Sequence, residues 1–447
     1  MIILLTNSLN EFLTMTISLI GFAILFLIAF LGFPLGFTML AVGGIGFGIL
    51  RGAEPALEMI VQQIMDVVLN TNFAVLPMFL LMGAFVFRAG LSDDLYEAAD
   101  AWLGHHRGGL AMATIAACGG FAAVSGSSLA TVATMAKVAI PSMRKYNYAD
   151  SLAAGTVAAG GTLGILIPPS AALIIYGILT EEGIAELFAA GIIPGIISVV
   201  LYISVIMIVT HFRPKMGPRG ERSGWKIRFQ KLAKVWGIVL LFCLILGGIT
   251  FGVFTPNEAG GIGAIGALLF AMLRRKMTWT ILFESLVEAA QTTTMVFMIA
   301  IGALILNNFI ALAGISSGAI RWIESLHLTP MAVLMIILAF YVVLGTVVEG
   351  LAMIFLTVPI FVPVIEGLGF DLVWFGIVLV MMVEISLITP PIGLNVFVMK
   401  SMMPDVPLNV IFRGIAPFFC ADIARLLIVV FFPAVALWLP YLVYGPG

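Results

Sequence analysis

Runs of 17 or more mostly apolar residues recur from one end of this chain to the other. Each is long enough, as a helix, to cross the hydrocarbon core of a bilayer. Composition agrees. Of the 447 residues 62% are hydrophobic and only 10% charged, and mean hydropathy is +1.18, whereas a soluble chain is about 25% charged. The expected fold is therefore an all-α polytopic membrane protein, with about ten spanning segments. The net charge of −2 says nothing of partners, because nearly all the charge sits in a few short loops.

Several chemistries find no support. The first basic residue is Arg51, so the N-terminus lacks the basic region of a secretory signal peptide. Cys118, Cys243 and Cys420 are isolated within apolar segments, and His105, His106, His211 and His327 lack ligand spacing. No HExxH, Walker loop or other intramembrane catalytic motif is present. The expectation is a non-enzyme with no organic cofactor.

Basic residues set the topology. Arg213, Lys215, Arg219, Arg222, Lys226, Arg228, Lys231 and Lys234 stand against one acid, Glu221, so this segment is expected in the cytoplasm. Counting outward, 185–212 returns from an outer loop, "TEEG" at 180–183. The stretches 232–252 and 257–273 then form a pair ending inside at Arg274, Arg275 and Lys276. Both chain ends are expected outside, with Arg51 and Arg321 as outer-side exceptions. Two stretches, 54–68 and 278–291, fit amphipathic helices lying in the headgroup plane or packed over the spans. The first puts Leu57, Ile60, Val61, Ile64, Met65 and Val68 on one face, with Glu54, Glu58, Gln62 and Asp66 mostly opposite.

Displacing the sequence by 222 residues brings Pro34 onto Pro256, Pro141 onto Pro363, Pro168-Pro169 onto Pro390-Pro391, and Leu129-Ala130 onto Leu351-Ala352. Pro55 and Pro77 find no match. A duplication follows: residues 1–212 form one repeat, 213–234 a basic cytoplasmic linker, and 235–447 the second repeat. Residue 34 falls near the cytoplasmic side and residue 256 near the outer side, so the repeats are expected to be inverted. Inverted repeats with interrupted helices at matching positions point to a secondary transporter and its site.

The interruptions are specific. "AAVSGSSLATVATM" (122–135) gathers Ser125, Gly126, Ser127 and Ser128 between apolar arms of about 15 residues, too short to be two straight spans. A re-entrant hairpin fits, entering near Arg107 and leaving near Arg144 and Lys145. Its counterpart is "LGTVVEGLAMIF" (344–355), with a tip at 346–350. Opposite the tips belong two broken helices, "GGTLGILIPPS" (160–170) and "EISLITPPIGLN" (384–395). Proline supplies no backbone donor, which frees upstream carbonyls. Such irregular backbone is tolerated at membrane depth only where protein buries it or a polar cavity receives it. Clustered carbonyl and hydroxyl oxygens suit a small hard cation, and half-helix N-termini near Ser170 and Gly393 suit an anionic group. Small residues in membrane helices also serve helix packing. Glu349 and Glu384 are acids at membrane depth and hence candidates by default, with Thr389 and Asn395 as cheaper polar groups. Asp66, Asp150 and Glu258 look interfacial.

The stretches "SGSSLATVATMAKVAIPSM", "AGGTLGILIPPS", "FTPNEAGGIGA" and "EISLITPPIGLN" resemble, in this order and over nearly the whole chain, the large membrane subunit of tripartite ATP-independent periplasmic (TRAP) transporters. The resemblance implies an elevator-type, Na⁺-driven permease of the bacterial inner membrane. It also implies a separate four-helix small membrane subunit, and a soluble periplasmic protein that delivers an organic acid such as a C4-dicarboxylate or sialic acid. Carried over by motif, one Na⁺ lies among Ser125, Ser127, Ser128 and the backbone around Gly161, Gly164 and Ile167. A second lies among Gly345, Thr346, Glu349, Gly350, Ile388 and Thr389, and the substrate sits near Ser127, Ser170 and Asn395. The second tip carries Glu349 and no serine, so the two ion sites differ chemically. The alternative reading is a stand-alone Na⁺ or H⁺ carboxylate symporter that uses no binding protein.

Overall fold

The computed structural model describes residues 16–17, 20–28, 31–314, 318, 327–346, 348–391 and 393–445; Arg321, and Val347 of the second tip, lie outside them. All regular structure among the described residues is helical. After a helical stretch at 20–28 come α1 (Leu35–Arg51), α2 (Ala53–Leu69), α3 (Val75–Arg88), α4 (Leu91–Leu103), α5 (Gly109–Ser125) and α6 (Ser128–Lys145). Then follow α7 (Asp150–Leu166), α8 (Ala171–Thr180), α9 (Ile184–Phe212) and, past the basic segment, α10 (Trp225–Lys234) and α11 (Trp236–Thr250). The remainder is α12 (Pro256–Leu273), α13 (Trp279–Leu312), α14 (Pro330–Gly345), α15 (Gly350–Gly367), α16 (Leu372–Ile388), α17 (Leu394–Met402), α18 (Leu408–Phe431) and α19 (Ala434–Tyr444).

Among the described residues seven helices are long and apolar enough to cross a membrane, counting α7 with α8 as one, or eight if α10 and α11, bent by 47°, form another. The arms α5 and α14 are shorter, as expected of hairpins. Both ends of α6 and α15, and both ends of α7 and α16, are displaced by the same 222 residues that align the prolines. The Pro168-Pro169 and Pro390-Pro391 peptides are both cis. The stretch 278–291 is not a separate surface helix: it forms the first turns of α13, which runs for 34 residues. No glycine or proline stands between Trp279 and Ile301 to stop it.

Two compact units each draw on both sequence halves. The first takes described residues within 1–73, 178–181 and 291–372; the second takes 74–177, 182–290 and 373–445. In the first, α1 lies backbone to backbone on the later part of α13. A Cβ on Gly43 would stand 2.6 Å from Leu306 Cα, and one on Gly36 2.8 Å from Met298 C. Small residues thus set a close helix crossing, as they do where lipid provides no hydrophobic drive. On α2 only Ala56, Met59 and Val67 are buried. Leu57, Val61 and Met65 remain exposed on one side and Glu54, Glu58, Gln62 and Asp66 on the other.

The second unit is built around α7, whose residues are almost all buried among α5, α6 and α18. At the α7–α18 crossing a Cβ on Gly155 would collide with Gly414 O, and one on Gly414 with Ser151 O. Ion pairs fasten the ends of neighbouring helices: Arg88 of α3 reaches Glu284 at 2.5 Å and Glu288 at 3.0 Å, Lys234 reaches Glu97 at 3.6 Å, and Arg274 pairs with Asp94.

Candidate functional site

The first hairpin turns on two residues. Gly126 ends α5 with φ +58°, a left-handed conformation open to glycine, and a Cβ there would also stand 3.0 Å from Pro169 O. Ser127 is extended and caps α6, its Oγ accepting from Ala130 N at 3.4 Å. Thr131, one turn on, donates its hydroxyl to Ser127 O at 2.7 Å and stands 3.0 Å from Ser125 Oγ. The tip therefore packs hydroxyl and carbonyl oxygens within a few residues.

Facing it is the end of α7. The helical donors for the carbonyls of Gly164 and Ile165 would be the N–H groups of residues 168 and 169, both proline. Ile165 O instead accepts from the Ser170 hydroxyl, which in turn accepts from Leu173 N at 3.3 Å and so caps α8. Contact between tip and break is direct: a Cβ on Gly164 would lie 2.8 Å from Ser127 O, and one on Gly161 would run into Val132 Cγ2. The residues expected at the first ion site are thus brought together. The Ile167 side chain turns toward Gly195 on α9, so only its backbone can belong to the site.

Of the expected substrate residues, Ser127 is half-buried, while Ser170 and Asn395 are wholly enclosed. Asn395, in the first turn of α17, accepts from Ser128 Oγ at 3.0 Å and donates to Ala158 O at 3.0 Å. It fastens the second broken helix to the first hairpin and to α7. Packing and polar latching coexist at the same glycine-rich surface.

The residues of the second expected ion site fall in different compact units and are described separately. In the first unit Thr346 donates to Val343 O at 2.7 Å. Glu349 caps α15, Oε2 accepting from Ala352 N at 3.2 Å, in the position equivalent to Ser127. Gly345 and Gly350 are buried, and Tyr341 ties the hairpin arms by a 2.6 Å hydrogen bond to Thr357. In the second unit Ile388 ends α16, Thr389 donates to Ile385 O at 2.6 Å, and Gly393 takes φ +46° before α17.

Other polar residues acquire plain structural roles. Asp150 meets Arg144 at 3.0 Å, Glu258 completes a capping box with Thr255, and Asp66 is exposed. Glu384, expected at membrane depth, is fully buried and bonded at 2.6 Å to Arg425. Sequence reading missed Arg425 and its neighbour Asp422. The available signal was an acid and a base three residues apart inside the apolar run "CADIARLLIVV" (420–430).

Helices interrupted at matched positions, with hairpin tips and proline breaks carrying oxygen donors among apolar spans, are the parts of a multi-pass membrane transporter. Comparison with known families makes the class specific: residues 22–435 match the tripartite ATP-independent periplasmic transporter, DctM component. The chain belongs to this family. It is 38% identical to the C4-dicarboxylate TRAP transporter large permease protein of Pseudomonas aeruginosa, covering 82% of this chain and 85% of that one. It is 31% identical to the sialic acid TRAP transporter large permease protein of Vibrio cholerae, over 94% and 97%. An isethionate TRAP transporter permease protein of Oleidesulfovibrio alaskensis is 30% identical over 94% of this chain and 65% of its own length. Among solved structures the Alcanivorax borkumensis YdaH transporter shares the fold, with TM-score 0.58, 14% identity, and 88% and 90% coverage.

Proposed function

We infer that this protein is the large permease subunit of a TRAP system that drives uptake of an organic acid across the bacterial inner membrane by Na⁺ symport. An elevator-type movement carries the site, a periplasmic binding protein delivers the substrate, and a small membrane subunit is the partner. The two sequence halves act as inverted repeats, with both chain termini on the periplasmic side. The observation that carries the reading is the meeting of the Ser125–Ser128 tip with the proline-ended α7. It gathers carbonyl and hydroxyl oxygens, the donor set a hard cation takes. The Ser127 hydroxyl and the carbonyl of Gly164 are the first ligands to test. Glu349, capping the second hairpin, places a carboxylate where the first hairpin has Ser127. Relatives named for a dicarboxylate, sialic acid and isethionate support a substrate with an acidic group, while others named for ectoine widen the range, so its skeleton is left to the delivering protein.

The test is thermal unfolding of the purified protein in NaCl against KCl at equal ionic strength. A ligand at a hundred times its dissociation constant stabilises the folded state by about 2.7 kcal/mol. A saturable Na⁺-specific rise in midpoint, reduced in Ser127→Ala, is expected. The Ser127 cap bond is long, so that variant keeps its fold in KCl. A Na⁺ response equal in wild type and Ser127→Ala would remove the first site.

A further inference from the structure

Behind the two broken helices the second unit encloses a charged cage. Arg425 of α18 donates Nη2 to Glu384 Oε2 on α16 at 2.6 Å, and the same nitrogen lies 3.1 Å from Asp422 Oδ1. Its Nη1 donates to Ser198 on α9. Tyr202, one turn further along α9, donates its hydroxyl to Asp422 Oδ1 at 2.7 Å and stands 3.2 Å from Thr162 Oγ1 on α7. Glu384, Asp422, Arg425 and Tyr202 are all fully buried. Among the described residues, these four supply every titratable or charged group that faces the cage. From α7 and α9 come only the Thr162 and Ser198 hydroxyls besides Tyr202.

The charge does not balance. Two carboxylates face one guanidinium, which stays charged at any ordinary pH. Placing an uncompensated carboxylate out of water costs several kcal/mol even after relaxation, and two buried carboxylates sharing one site do not both ionise. Glu384 Oε1 and Asp422 Oδ2 have no hydrogen-bond partner among the described residues, so each has room to be the protonated oxygen. A metal cation fits poorly, because the guanidinium already occupies the space between the acids. A proton needs no coordination shell.

We propose that the Glu384–Arg425–Asp422–Tyr202 cage is a proton-binding site, holding one proton between its two carboxylates at neutral pH. The proton belongs to the pair. Glu384 is its favoured carrier, since Asp422 Oδ1 faces two donor groups and Glu384 Oε2 only one. Through Glu384 the site adjoins the last turn of α16. Through Tyr202 and Thr162 it touches α7 between Gly161 and Gly164, so its charge state bears on both chain breaks from behind.

The experiment is infrared difference spectroscopy of the purified full-length protein at neutral pH, reading the C=O stretch of protonated carboxyl groups. Wild type is compared with Glu384→Gln and with Asp422→Asn. Either variant leaves one carboxylate for one guanidinium, and Gln is close in shape to a protonated Glu. Loss of one protonated-carboxyl band in either variant is the expected result. If both variants keep the wild-type intensity there, or the wild type shows only ionised carboxylate from these residues, the proposal fails. Should one variant not fold, the other decides alone. The readout uses neither sodium nor substrate, so it stands or falls independently of the transport reaction.

Discussion

Single residues in this protein are held by partners far away in sequence. Asn395 bridges Ser128 and Ala158, 267 and 237 positions distant. In Asn395→Leu the Ser128 hydroxyl loses its partner, at about 1–3 kcal/mol for a buried group left unpaired. A lower unfolding midpoint in detergent, and slower uptake by the assembled system, are expected. Gly164 is tighter still. Gly164→Ala pushes a methyl group to 2.8 Å from Ser127 O, so the tip must retreat. Overpacking of this kind costs about 1–3 kcal/mol, and the Na⁺-dependent rise in midpoint should shrink with it. Gly261→Ala is the control: nothing lies within 4 Å of that Cβ, so removing glycine from a helix should leave stability equal or higher by about 0.5–1 kcal/mol. The sequence pointed to Ser127, Ser128 and Asn395 as polar groups at breaks. It could not reveal that Ser128 and Asn395 bond to each other, because spacing carries no information about partners in different repeats. Arg425 and Asp422 did carry a local signal, an acid and a base one helical turn apart in an apolar run, but nothing in it pointed to Glu384, 41 positions earlier.

At the scale of elements, helix ends were the most legible feature. Proline pairs and the small polar tip stop α5 and α7 by local backbone chemistry, which a sequence displays directly. The fate of 278–291 was less visible, since an amphipathic start does not announce that the helix continues to Leu312. The loop after α4 offers an element-scale test. Arg228 is buried over Trp102 and Trp225, 5.7 and 5.1 Å from their ring centres, with a guanidinium nitrogen 3.4 Å from His105 Nδ1. Partial burial, then the neighbouring His106 and the guanidiniums of Arg228 and Arg222, hold the His105 imidazole below its ordinary value. The unfolded chain therefore binds the proton more readily. Stability should fall as pH drops below about 6.5, until the folded-state value is passed. The unfolding midpoint followed from pH 8 to pH 5 should show this limb in wild type and a flatter one in His105→Gln.

For the whole molecule, the basic segment between α9 and α10 predicts the orientation in the membrane. Single cysteines placed at residue 222 and at residue 181 should react with a membrane-impermeant thiol reagent from opposite faces, cytoplasmic and periplasmic respectively. Labelling of both from one face would overturn the inverted arrangement. The background needs attention, because Cys243 and Cys420 are exposed and Cys118 is buried. Cys243→Ser is expected to leave transport intact.

The crossing of Gly155 with Gly414 carries a further consequence. One glycine comes from each sequence half, and a Cβ on either would run into the backbone of the other helix. With Asn395 reaching across to Ala158, neither half can complete the second compact unit alone. A gene severed within the basic segment, with both fragments co-expressed, should yield two polypeptides that complement one another and purify as a noncovalent pair. Either fragment by itself would be left to degradation.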